Sequence, residues 1–190
     1  RFLFAGGFQG DESCTDREQQ SAAAFRQLRG VLDKESFPVS SIIRQWNYIE
    51  QITRYDGAGQ HYQSFNNVRT AFYSESDWSK GYPAATGIGM NLGGILIDAD
   101  AAVFHTSDAF ATPIDNKLQV AAHAYSEQVL EEARQKKTTP KFERAKSMTF
   151  HDRRLVYISG TAAIRGEESL KGVGLERQLQ ITMENIAQLI

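Results

Sequence analysis

One cysteine, Cys14, stands among the 190 residues, so no disulfide can close within the chain and no cage of thiolates can hold zinc. It lies in a polar loop, Asp11 to Asp16, and nothing in that loop argues for a reactive thiolate. Scarce cysteine predicts a reducing, cytoplasmic setting. No apolar run approaches the roughly 18 residues of a membrane span, so no membrane is expected. An excess of positive charge is missing too. A formal net charge of −2 and a pI near 6.1 leave no basic field to hold a phosphate backbone, and nucleic acid is not expected as a partner. The short runs Lys136-Lys137 and Arg153-Arg154 read as solvated faces. Neither a metal nor an organic cofactor is expected. The four histidines, His61, His105, His123 and His151, lack metal-ligand spacing. Gly87-Ile88-Gly89 followed by Gly93-Gly94 opens no helix and so fails as a dinucleotide fingerprint.

What is present is an ordinary globular composition, 41% apolar and 23% charged, arranged as a module that recurs. Arg1 to Phe8 aligns with Arg154 to Thr161, each an apolar strand-like run ending at a small-residue turn. A loop, a glutamine (Gln20, Gln178) and an amphipathic helix follow each, with Leu28, Val31 and Leu32 matching Ile186, Leu189 and Ile190. The second copy stops inside its helix, which predicts a fragment of a longer tandem protein. The expected division is a first domain over 1–106 and, over 107–190, a linker with the opening of a second.

Along the chain, residues 1–8 read as a strand and Asp16 as the N-cap of a helix from Arg17 to Lys34. Phe37-Pro38 ends that pattern, and the β-branched and aromatic run Ile42 to Ile49 reads as a strand. Arg54 to Gly59 is a turn-rich link, followed by a helix over Gly59 to Tyr73 with Tyr62, Phe65, Val68, Arg69 and Phe72 on one face. Two strands, Thr86 to Met90 and Ile95 to Phe104, join across Asn91 to Gly94. This order predicts an α+β fold, one sheet with two helices packed on one face. Asp108 to Pro113 reads as a linker, Leu118 to Ala124 alternates like a strand, and Val129 to Lys137 reads as helical until Pro140 stops it. Phe142 to Phe150 and Arg154 to Ile164 pair as a hairpin across His151-Asp152-Arg153. A loop over Gly166 to Gly174 and a helix over Leu175 to Ile190 complete the reading.

Ile158-Ser159-Gly160-Thr161-Ala162-Ala163-Ile164, with Gln178 and Asn185 in the helix beyond, resembles the start of a RidA-type (YjgF-type) domain. Ile42 to Ile49, Tyr82 to Gly89 and Ile97 to Ala101 resemble later parts of the same domain. The set Arg44 to Ile49, Tyr62-Phe65-Asn66-Arg69, Pro83 to Gly89, Phe142-Arg144-Ala145 and Ser159 to Ala162 is similar to tandem members of that superfamily, the chorismatases. The resemblance implies a chorismate-mutase-like (RidA-like) mixed sheet, a trimer or intramolecular pseudo-trimer, and a small carboxylated metabolite as partner. The chemistry it implies is acid–base hydrolysis or elimination of pyruvate from a chorismate-like enol ether. An enamine/imine deaminase and a non-catalytic ligand-binding or assembly module are the alternatives. The endoribonuclease or translation-inhibitor label attached to such proteins finds no support in the acidic balance. Active deaminases of this type carry an arginine after Pro-Ala to grip the substrate carboxylate, and here that position is Ala85. The acidic catalytic residue that chorismatases place in the last strand of their second copy lies beyond Ile190, so no catalytic residue is assigned.

The substrate-binding candidates are Tyr125, Arg144, Ser159, Gly160, Thr161 and Ala162. Arg144 either clamps a carboxylate or forms an ion pair with Glu143 or Asp152. The turn Ser159 to Ala162 either aims backbone N–H groups at an anion or simply ends a strand. Tyr125 either donates to a bound acid or satisfies its hydroxyl locally. His123, in the run Ala122-His123-Ala124-Tyr125, is a candidate general base. Asp98 and Asp100 share one face of a strand, where solvent-facing charge alternation is expected over a metal pair. Trp46 and Tyr48 are expected as core or interface aromatics.

Overall fold

The computed structural model describes residues 1–11, 13–57, 59–126 and 138–190. Strand β1 (Phe2–Gln9) leads through the Asp11 loop to helix α1 (Arg17–Lys34). Asp16 caps that helix as its position predicts, its carboxylate accepting the N–H groups of Glu18 and Gln19 at 2.8 and 3.0 Å. Strand β2 (Ile42–Glu50) follows, then a small hairpin of β3 (Tyr55–Asp56) and β4 (Gly59–Gln60), and helix α2 (His61–Ser74). Strands β5 (Ala84–Met90) and β6 (Ile95–Ala102) close the first sheet. Their turn needs glycine. Gly93 and Gly94 sit at φ 101° and 67°, a region that side chains disfavour.

The sheet order is β1-β6-β2-β5, with β2 parallel to β5 because α2 crosses over between them, and antiparallel to β6. The expected α+β architecture forms, a mixed sheet with α1 and α2 on one face. Strand alternation turns Ile49, Ile95, Ile97, Ala99 and Ala101 toward the helices, where they meet Ala24, Phe25, Leu28, Leu32 and Phe65 in one buried core. Among them runs a polar chain. Tyr73 Oη donates to Gln45 Oε1 at 2.6 Å, Gln45 Nε2 donates to Asn47 Oδ1, and Asn47 Nδ2 donates to the Thr86 carbonyl at 3.2 Å. Because each member is satisfied, the chain fixes β2 against α2 and β5 instead of weakening the core. Burial lifts the Tyr73 phenol far above its ordinary range.

A second, antiparallel sheet has the order β7-β8-β9, from β7 (Ala109–Ile114), β8 (Ala145–Phe150) and β9 (Arg153–Ile158). The short strands β10 (Ile164–Arg165) and β11 (Glu168–Ser169) pair beyond it, and helix α3 (Leu175–Ala187) ends the chain. This sheet lies over the face of the first that the helices leave free. Ile43 clusters with Met148, the Phe2 ring stands 6.1 Å from that of Phe150, and Arg44 Nη1 donates to the Ile158 carbonyl at 3.1 Å.

The structure corrects several expectations. The stretch Asp108 to Pro113, read as a linker, holds strand β7. An edge strand bonds on one side only, so the missing N–H of Pro113 is tolerated there. Leu118 to Ala124 forms no strand. It has an isolated bridge from Gln119 to Gly166 and a 3-10 turn at Ala122–Ala124, because alternation without a neighbouring strand makes no ladder. The link at Arg54 to Gly59 contains the β3–β4 hairpin, and the loop from Gly166 contains β11. Strand β9 stops at Ile158, short of the expected Ile164. The helix expected over Val129 to Lys137, and the Lys136-Lys137 pair, lie outside the described residues. Arg153 and Arg154 are exposed. Ile190, expected to match the buried Leu32, is 82% exposed.

Candidate functional site

Where β5 starts, the two sheets are stitched together. Glu143 N–H donates to the Pro83 carbonyl and Gly160 N–H to that of Ala85, while Ser159 N–H donates to the Arg144 carbonyl and extends the β8–β9 pairing up to the seam. Beside this seam opens a cleft of about 460 Å³, within the span of small-molecule sites. Arg144, Tyr125, Gly160, Thr161 and Ala162 all line it, so the structure brings together five of the six substrate-binding candidates.

Ser159 is the exception. Its buried hydroxyl accepts from Ala85 N–H at 2.8 Å and donates to the Glu143 carbonyl at 2.5 Å, which makes it a fastener of the seam. Gly160 N–H is likewise committed, to the Ala85 carbonyl and to Thr86 Oγ1 at 3.0 Å. That N–H is therefore not available to an anion. The Ala162 carbonyl is held by Asn185 Nδ2 at 2.9 Å, and Thr161 Oγ1 exchanges a hydrogen bond with Gln119.

Arg144 forms neither of the ion pairs weighed for it. The guanidinium is 4% exposed, donates through Nε and Nη2 to the Val120 carbonyl at 3.2 and 2.8 Å, and donates through Nη2 to Tyr125 Oη. A phenol that accepts from arginine keeps its own O–H free to donate. Tyr125 therefore remains a donor on the cleft wall.

A second arginine completes the site. Arg69 arrives from α2 and is 1% exposed. Its Nη2 donates to Asn66 Oδ1 at 2.5 Å, and its Nε is buried without a partner among the described residues. The Arg69 and Arg144 guanidinium carbons lie 5.9 and 5.7 Å from the centroid of the same ring, Phe142, so the two cations flank one aromatic wall. Among the described residues no carboxylate pairs with either, and none lines the cleft. Burial, and then the charge of Arg69, hold the Lys141 ammonium below its ordinary range. Buried cations without counter-charges are costly and favour an arriving anion. The sequence placed Arg69 on the apolar face of its helix. Its presence in the run Tyr62-Phe65-Asn66-Arg69 was the available signal, but only the packing of α2 against Phe142 shows its direction.

Ala85, where deaminases carry arginine, is 3% exposed and clusters with Ala122 and Phe142. His123 does not line the cleft. Its ring lies 5.5 Å from that of Tyr82, and its Nδ1 is 3.9 Å from Glu143 Oε1. The expectation of solvent-facing charge at Asp98 and Asp100 is corrected as well. Both are half-buried. Asp98 Oδ1 accepts from Gly7 N–H at 2.8 Å, and Asp100 stands opposite Arg44 across the strand pair. Desolvation raises the Asp100 carboxyl, against the pull of Arg44. Trp46 lies beneath Arg44, whose guanidinium carbon is 4.6 Å from its ring centroid. Among the described residues no helix is long and apolar enough to cross a membrane.

A 3-hydroxybenzoate synthase of Streptomyces hygroscopicus is 31% identical over 165 residues, 82% of this chain and 45% of its own length. A chorismatase of Streptomyces rapamycinicus is 29% identical over 175 residues, 90% of this chain and 48% of its own. The chain thus spans about half the length of the curated relatives it matches. A chorismatase crystal structure superposes on all of the chain, and on 54% of itself, with a TM-score of 0.80 at 25% identity. The family model described as chorismatase FkbO/Hyg5-like, N-terminal, matches residues 2–101. With more than half of its length inside that model, this chain belongs to the FkbO/Hyg5-like chorismatase family.

Proposed function

We propose that the cleft at the seam holds a small carboxylated enol ether of the chorismate type, and that the protein releases pyruvate from it by acid–base chemistry. The observation that carries the reading is the pair of buried guanidiniums, Arg69 and Arg144, flanking Phe142 with no carboxylate beside them among the described residues. Two cations on one aromatic wall suit a ligand with a flat ring and an acidic group at each end. The Tyr125 hydroxyl orients that ligand, and Ala85, Gly160 and Ala162 leave room for it. Ser159 acts through the seam and not on the ligand.

Hydrolysis of an enol ether needs a proton on the terminal enol carbon and water on the oxygen-bearing carbon, after which the hemiketal collapses to pyruvate and an alcohol. None of the described lining residues is an acid able to start this, so the proton donor comes from another segment of the polypeptide. General acid–base catalysis of this kind contributes roughly 10²–10⁴-fold. On this reading residues 1–106 form a first RidA-like unit and 107–190 open a second, and the site lies where they meet. Ala85 counts against an imine deaminase, because the first unit has no arginine where a deaminase grips its substrate.

The test is pyruvate release from chorismate by the full-length protein. Arg144→Ala is expected to lower kcat/KM by at least about a hundredfold, the scale of a lost charge-assisted contact. No release by the parent protein would end the chorismatase reading.

A further inference from the structure

A second and larger cleft, of about 750 Å³, opens on the other side of the seam between the end of β6, the 3-10 turn before β2, and strands β7 and β8. None of its lining residues belongs to the site described above. Its walls are apolar at Phe104 and Phe110 and hydroxylated at Ser41 and Thr112, and its only charged lining groups among the described residues are Lys80 and Lys146.

Lys146 is unusual. It is 3% exposed, and its ammonium donates to the carbonyls of Gly81 and Tyr82 at 2.8 and 3.1 Å. An ammonium has three donors, so two carbonyls leave one unused, and neither carbonyl carries the charge needed to balance it. Glu143, whose Oε1 accepts from Tyr82 N–H at 2.8 Å, supplies a negative charge from a distance and so offsets part of the cost of burial, but it makes no hydrogen bond to the ammonium. Lys80 is exposed on the loop before β5. Asp77, which also acts on it, is held by Ser79 N–H and Oγ, both at 2.8 Å.

We propose that this cleft is a second ligand site, for a small aromatic carboxylate whose ring lies against Phe104 and Phe110 and whose acid group meets Lys146 and Lys80. The site is independent of the chorismatase reading. Desolvation has pushed the Lys146 ammonium down to about 8, and a bound carboxylate would favour the charged form and raise it again. The carbonyls of Gly81 and Tyr82 immediately precede Pro83 and Ala84, where β5 meets Glu143. A ligand that moves Lys146 therefore pulls on the chain that builds the first cleft.

Calorimetric titration with benzoate, on the full chain and three variants, tests this. In an Arg144→Ala background, which removes one of the two cations of the first cleft, one benzoate per chain is expected at this cleft, and benzylamine, of similar shape and opposite charge, is expected not to bind. Lys146→Met is expected to weaken benzoate on the order of tenfold, as for loss of a hydrogen bond to a charged group. Lys80→Ala, an exposed change that leaves the fold alone, is expected to weaken it by a smaller factor in the same background. Absent or benzylamine-like binding by the parent overturns the proposal. So does benzoate binding that, in the Arg144→Ala background, is lost altogether or survives Lys80→Ala intact. The chorismatase reading stands or falls separately, on pyruvate release.

Discussion

Gly160 has no space for a side chain. A Cβ there would meet Thr86 Cγ2 at 2.8 Å, and Thr86 cannot simply turn away. Its Oγ1 already accepts from Arg44 Nη2 at 2.6 Å and from Gly160 N–H at 3.0 Å. Gly160→Ala is therefore expected to destabilise the fold by about 1–3 kcal/mol, the usual cost of overpacking. Thr86→Ser removes the obstructing methyl and keeps the hydroxyl, so the double variant is expected to recover most of the loss in urea unfolding. Additive destabilisation would show that the contact is not what excludes a side chain.

Lys146 makes a prediction of opposite character, about pH. Its folded pKa of about 8 lies below the ordinary 10.5, so between these values the unfolded chain binds more protons than the folded one. Stability from this group then rises with pH across that window, and the cost of burying the charge is present in full below about 8. The parent's unfolding free energy, compared with that of Lys146→Met, is expected to improve from pH 7 to pH 10. A difference that stays flat would mean that the amine is not held in its neutral form at the upper end.

Among the elements, those carried by local chemistry were legible. The N-cap at Asp16, the apolar spacing of α1, the β-branched run of β2 and the glycines before β6 each act through their own neighbours. Elements defined by a distant partner were not. β7 exists because β8 bonds to it, pairing Ala109 with Phe150 and Ile114 with Ala145. Leu118 to Ala124 has the alternation of a strand and finds no ladder to join. The site divides in the same way. Arg144 and Tyr125 were picked out by motif and residue type and do line the cleft, whereas the Gly160 turn lines it with its N–H spent on Ala85 and Thr86. The role of Ser159 was misjudged, because its hydroxyl is consumed by two groups far away in sequence.

For the molecule as a whole, Ser159 shows how the two sheets are held as one body. Its hydroxyl joins Ala85 of β5 to Glu143, the residue before Arg144, and so sets one wall of the cleft against the other. Ser159→Ala leaves a buried N–H and a buried carbonyl without that partner, an expected loss of about 2 kcal/mol. Trp78 packs against the core of the first sheet and Trp46 lies beneath Arg44, which reaches the Ile158 carbonyl, so tryptophan fluorescence follows the first sheet and its seam while far-UV circular dichroism follows all of it. In the parent the two signals are expected to change together on unfolding. In Ser159→Ala they are expected to separate, and coincident transitions would place the coupling elsewhere in the seam.

The residues by themselves determined the helix caps, the periodicity of the long elements and the likeness to a family, since each depends on side chains a few positions apart. Only the tertiary structure decided that Arg69 and Arg144 share Phe142, that the hydroxyl of Ser159 is spent on the seam, and that Lys146 is buried over a second cleft. Those relations join positions as much as 75 residues apart. No local preference encodes them. They follow from which apolar faces the chain must bury against one another, and the polar groups go where that burial carries them.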